Sequence, residues 1–259
     1  MLCPRRPSFA SFLVTPARIR RMTVLLERTY GPRPWEPYGD PLSGLIETIL
    51  SQHTNDANSG AAFDELRRQF PNWREVLRAP LEKVERAVRC GGLARQKAQR
   101  IQTILRAIET EHGSLDLDFL ADWPVERAME YLCRFKGVGP KTAACVLMFN
   151  LGKPVLPVDT HIHRVSKRLG LVLPKVSAAT CQEQLQRVCP EDLVWPFHVL
   201  MITHGRRTCK SQRPLCRSCC LRRMCPIGRS LGGRVIGRPS RRARVGAVRR
   251  KQPQRRDVI

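Results

Sequence analysis

The stretch from Phe135 to His163 constrains the rest of the chain most: Phe-Lys-Gly-Val-Gly-Pro-Lys-Thr-Ala, an apolar run, then Leu-Pro-Val-Asp-Thr-His-Ile-His. Glycines on either side of Val138 permit a tight turn with exposed backbone N–H groups, and Pro140 suits the first position of a following helix. Amides at a helix N-terminus attract anions without reading any side chain. The turn is therefore expected to grip a phosphate of one nucleic-acid strand, with Gly137, Val138 and Gly139 as DNA-binding residues. Lys141 falls in the first helical turn, where the positive end of the helix dipole and any loss of hydration favour the neutral amine, a nucleophile. Eighteen residues on, Asp159 precedes Thr160 and a second periodic helix carrying Ile162, Val165 and Leu169. Taken singly, Lys141 reads as a phosphate contact and Asp159 as a helix N-cap. Behind one Gly-Val-Gly turn they read together as a nucleophile with its acid.

A second constraint lies further on. The spacing Cys209-x6-Cys216-x2-Cys219-x5-Cys225 puts four thiols within seventeen residues, which implies a metal. Spacing alone leaves zinc open, although structural zinc sites tend to show two close pairs and this run has one. The eleven cysteines are odd in number and no secretory signal precedes them, so a disulfide scaffold is not expected. Cys3, Cys90, Cys133, Cys145, Cys181 and Cys189 are scattered, and Cys220 duplicates its neighbour.

The turn, the Val158-Asp159-Thr160-His161 run and the cysteine spacing together resemble the endonuclease III family of DNA glycosylases, in the helix-hairpin-helix, Gly/Pro-Asp superfamily. The resemblance covers roughly residues 30 to 226. It implies that Lys141 attacks the sugar carbon, that Asp159 assists, and that Cys209, Cys216, Cys219 and Cys225 hold a structural [4Fe-4S] cluster, with zinc the less favoured alternative. Lys136 stands where the family has proline, which adds charge beside the phosphate grip. The family also reads Leu-Ser-x-Gln-x-Thr-Asp at the end of an early helix, its glutamine filling the hole left by an everted nucleotide. In Ser51-Gln52-His53-Thr54-Asn55-Asp56 the glutamine comes one place early, so Gln52 and His53 are both candidates for the plug; the alternative is a plain polar connection. Leu93, in a glycine turn forty residues after His53, is expected to be the apolar wedge, or else to staple the next helix to the core.

Apolar residues recur at helical spacing over Leu42–His53 and Gln96–Glu111, shorter helices are expected over 73–90, Asp116–Ala121 and Val125–Cys133, and few runs alternate. The expected fold is all-α with two helical domains and the active cleft between them. One, over 41–152, is a six-helix barrel with the helix-hairpin-helix; the other is a discontinuous cluster domain from 22–40 and 153–226. Residues 1–21 and 227–259 read as disordered basic extensions carrying +5 and +10 of the net +24, which leaves +9 for the middle. That charge fits nucleic acid, and no apolar run is long enough for a membrane. A cytoplasmic, nucleoid-associated monomer acting on damaged double-stranded DNA is expected; the Arg-rich start is also compatible with organellar import.

The activity this implies is a bifunctional DNA glycosylase with AP lyase chemistry for oxidised or damaged pyrimidines. Glu47, one turn before the plug, matches the catalytic glutamate of adenine-mismatch glycosylases, so a monofunctional enzyme of that type is the alternative. A noncatalytic DNA-binding module is the second.

Overall fold

The computed structural model describes residues 14–230, and every regular element among them is helical. In chain order these are α1 (Pro16–Tyr30), α2 (Pro41–Leu50), α3 (Asp56–Gln69), α4 (Trp73–Arg78), α5 (Leu81–Ala87), α6 (Ala94–His112), α7 (Val125–Cys133), α8 (Pro140–Leu151), α9 (Thr160–Leu169), α10 (Ala178–Gln186), α11 (Val194–Arg207) and α12 (Pro226–Ser230). They form two units. One is Pro34–Asp159; the other joins the described residues up to Arg33 to those from Thr160 onward.

In the first unit α8 is the centre. Every residue from Thr142 to Asn150 is buried, so the helix is enclosed on all sides. Helix α2 packs directly against it, contributing Leu42, Leu45, Ile46, Ile49 and Leu50. The two meet closely at Gly44, where a Cβ would lie 2.0 Å from Asn150 Oδ1. The Asn150 amide in turn donates to the carbonyls of Tyr38, Gly39 and Asp40, which fixes the entry to α2. Asp40 caps that entry by accepting from the Ser43 amide at 2.7 Å. Ala98, Ile101, Leu105 and Ile108 of α6 complete the same core.

In the second unit α11, with Phe197, Leu200, Met201 and Ile202 buried, packs against α1 and α9. The cysteine loop comes directly after α11.

The observed limits differ from those expected. Helix α1 begins at Pro16, so residues 14–21 are not a free extension: Ile19 is fully buried, and Arg18 donates to the carbonyls of Leu169 (2.6 Å), Gly170 and Met224. An acid-free arginine run looks solvated in sequence, but here Arg18 finds backbone carbonyls and Arg20 pairs with the distant Asp192 carboxylate. At the other end α12 occupies Pro226–Ser230, so residues 227–230, expected to begin a disordered tail, are helical. The unit boundaries fall at Pro34 and Asp159, outside the expected 41–152. Asp116–Ala121 is a single 3-10 turn over Asp118–Ala121. The remaining parts of both expected extensions, 1–13 and 231–259, lie outside the described residues. Among the described residues no helix is long and apolar enough to cross a membrane.

Candidate active site

The turn between α7 and α8 closes through the Val138 amide, which donates to the Phe135 carbonyl at 2.9 Å. The Val138 side chain is 4% exposed. Val138 is thus a core peg of the hairpin, its amide held within the turn and its side chain buried. Gly137 has φ +86°, and a Cβ there would meet Arg100 Nε at 2.1 Å. Gly139 has φ −96° and open space where a Cβ would point, so what it contributes is an unobstructed approach to the N-terminus of α8. The Gly137 and Gly139 amides donate to no acceptor among the described residues, and the first-turn amides of α8 have no intrahelical partner.

These two glycines separate fold from binding. Gly137→Ala is expected to cost about 1–3 kcal/mol, from a left-handed backbone and a displaced Arg100. Gly139→Ala should stay within about 0.5 kcal/mol. Urea unfolding of both variants checks this, with Gly139→Ala weakening DNA binding instead.

Lys141 is half-buried on the first turn of α8. Asp159 comes after the buried strap Val155-Leu156-Pro157-Val158 and is itself half-buried, directly ahead of α9. Both residues belong to the unit Pro34–Asp159. Glu47 is half-buried on α2.

Gln52 and His53 are placed very differently. The Gln52 Nε2 donates to the Gly137 carbonyl at 3.0 Å and to Thr142 Oγ1 at 3.3 Å, while its Oε1 accepts from Arg100 at 2.7 Å. Gln52 is thus a bracket joining the end of α2, the hairpin and α6. His53, next to it, is exposed with φ 55°. Leu93 is 53% exposed with φ 49°, which does not fit a residue stapling α6 to the core. Among the described residues only His53, Leu93 and Arg213 combine a side chain with a positive φ. That backbone costs about 1–2 kcal/mol per residue, and strain of this kind concentrates at functional positions.

The bracket was not visible in sequence. Arg100 reads as one more solvent-facing arginine on α6, and the signal that could have found it is the glutamine one place early.

The four spaced cysteines line one small cavity, together with His204 and Leu215; Cys220 does not line it. Helix α9 holds the loop from behind. Arg168 donates to Cys209 Sγ (3.4 Å) and to the carbonyls of Cys209, Lys210 and Ser211, and Arg164 donates to the carbonyls of Gly205 and Cys209. The Gly228 amide donates to Cys225 Sγ at 3.4 Å. His204 Nε2 lies 3.7 Å from Cys219 Sγ, and burial pushes this imidazole down to about 4, so it is neutral. Burial also pushes the Cys219 thiol up to about 11, so a thiolate there needs nearby positive charge. N–H donors on two sulfurs and four thiols around one cavity suit a group that binds through thiolates. Among the described residues no three His, Cys, Asp or Glu side chains are grouped to hold a single metal ion.

Residues 46–191 match the model of the HhH-GPD superfamily base excision DNA repair proteins. The chain belongs to this superfamily. Within it the chain is of the endonuclease III type. It is 38% identical over 203 residues to endonuclease III of Thermotoga maritima, covering 78% of this chain and 91% of that one. It is 43% identical over 165 residues to a candidate DNA glycosylase of Arabidopsis thaliana, covering 64% of this chain but only 56% of the plant protein. A solved structure titled as a trapped endonuclease III–DNA covalent intermediate superposes with a TM-score of 0.71 at 30% identity, covering 85% of this chain and 99% of that one. The all-helical fold and the hairpin are accordingly those of an HhH-GPD glycosylase.

Proposed function

We propose that this protein excises damaged pyrimidines from duplex DNA and then nicks the strand by β-elimination. Lys141 carries the reading: it stands at the head of the enclosed helix α8, behind a turn with free amides, in a chain of this superfamily that also has Asp159. The fixed helix limits the positions available to the amine, and the turn holds a phosphate beside it.

In the proposed reaction the neutral Lys141 Nζ attacks C1′ of the everted nucleotide. The N-glycosidic bond breaks and its electron pair leaves with the base, which takes up a proton. Asp159 accepts the proton that Lys141 loses, or offsets the positive charge developing on the sugar. Ring opening gives a Schiff base, which makes the C2′ proton acidic. Loss of that proton with cleavage of the C3′–O bond releases the 3′ phosphate.

His53 fills the hole left by the nucleotide, because the Gln52 amide is already committed to the hairpin and Arg100. Leu93 wedges the neighbouring base step. The four cysteines of the loop hold a [4Fe-4S] cluster, a structural group that sets Arg207 at the end of α11 and the exposed Lys210, Arg213 and Arg217 of the loop against DNA phosphate.

Base release and nicking on duplexes carrying thymine glycol, an abasic site, or adenine opposite 8-oxoguanine test the whole reading. Release of thymine glycol with nicking is expected. Adenine release without nicking would move the chemistry to Glu47, and binding with no reaction would leave a noncatalytic module. Asp159→Asn sharpens the test, since asparagine caps a helix as well as aspartate does. Single-turnover base release is expected to fall about 100-fold, with the melting temperature unchanged.

A further inference from the structure

Lys97 of α6 is 1% exposed and heads the largest fully buried side chains of the described residues. Its Nζ donates to the carbonyl of Leu50 at 2.7 Å and to that of Gly91 at 2.8 Å. Neither partner is an acid. Leu50 is the last residue of α2, and Gly91 is the last of the 3-10 turn Arg89–Gly91, so one ammonium caps two helix C-termini, where dipoles favour a cation. The residues just past each carbonyl give the contact its meaning. Three places after Leu50 stands His53 and two after Gly91 stands Leu93, both exposed and both with a positive φ.

We infer that Lys97 is a positioning residue that clips the turns bearing His53 and Leu93 into one rigid fork, so that plug and wedge enter the duplex together at a fixed separation. The inference rests on the glycosylase reading above, which gives the two tips their roles. Burying an ammonium is unfavourable, and the two carbonyls it satisfies offset that penalty. The same two hydrogen bonds fix the separation of the turns. Burial lowers the pKa of Lys97, and the nearby Arg100 adds to the shift.

Lys97→Met tests this. The variant should keep its helical circular dichroism and a cooperative thermal transition, lowered by the loss of a donor to the Leu50 and Gly91 carbonyls. Base release from a thymine glycol duplex should slow at least tenfold, and the fluorescence rise of 2-aminopurine beside the lesion, which reports unstacking, should be lost. Nicking of a single-stranded abasic oligonucleotide, which needs no stack to be opened, should change by no more than about twofold. Equal losses on both substrates, or no loss on the duplex, would overturn the inference.

If Lys97→Met does not fold, the wild-type background still decides. His53→Ala and Leu93→Ala, both at exposed positions, should combine to less than the product of their separate losses, as two tips of one fork would. A multiplicative combination would overturn the clip. A wild-type protein that nicks abasic single strands but gives no 2-aminopurine signal would overturn the fork alone. One that neither releases base nor nicks would remove the glycosylase reading, and the fork with it.

Discussion

Replacing Lys141 with alanine is expected to abolish strand nicking at an abasic site, by on the order of 1,000-fold or more. The change should leave the fold intact. Lys141 lies on the first turn of α8, where no backbone bond depends on its side chain, and alanine favours the helix. Affinity for an abasic duplex should change only a few-fold, because the proposed grip on phosphate uses the Gly137 and Gly139 amides and the α8 N-terminus. Single-turnover nicking and a binding titration on the same duplex check both halves. A binding role for the lysine would show the opposite pattern, with affinity falling and the rate at saturation preserved.

The second large effect concerns the cysteine loop. If the proposed cluster is bound, Cys216→Ser is expected to cost on the order of 4–5 kcal/mol in the unit that contains it, since a structural metal group contributes its binding energy to folding. Cys220→Ser, at the neighbouring thiol that does not line the cavity, should cost no more than about 0.5 kcal/mol. Iron per protein chain, the visible absorbance of the cluster and the melting curve distinguish the two. Wild-type protein carrying one zinc and no iron would instead support the alternative ion.

The features legible in the sequence are those that neighbouring residues decide. A glycine turn before a proline, an apolar stripe at helical spacing and cysteines at fixed intervals each act within a few residues of themselves, and each appears where expected. The features that were not legible depend on residues far apart in the chain. Arg100 meets Gln52 across 48 positions and Lys97 meets Leu50 across 47, and no periodicity signals a side chain aimed at a distant carbonyl. Val138 shows the same limit inside a motif. It sits in a binding motif, and the motif's spacing cannot say that the middle residue faces the core while its neighbours face outward. The start of α1 is hidden for a similar reason, because Arg18 answers to carbonyls from α9 and the cysteine loop.

Borohydride trapping with peptide mapping tests the central claim most directly. The wild-type protein is reduced on duplexes carrying thymine glycol or an abasic site, digested, and the cross-linked peptide sequenced by mass spectrometry. The adduct should lie on Lys141 and be missing from Lys141→Ala. An adduct that persists in that variant, or thymine glycol release with no adduct at all, would contradict the covalent mechanism.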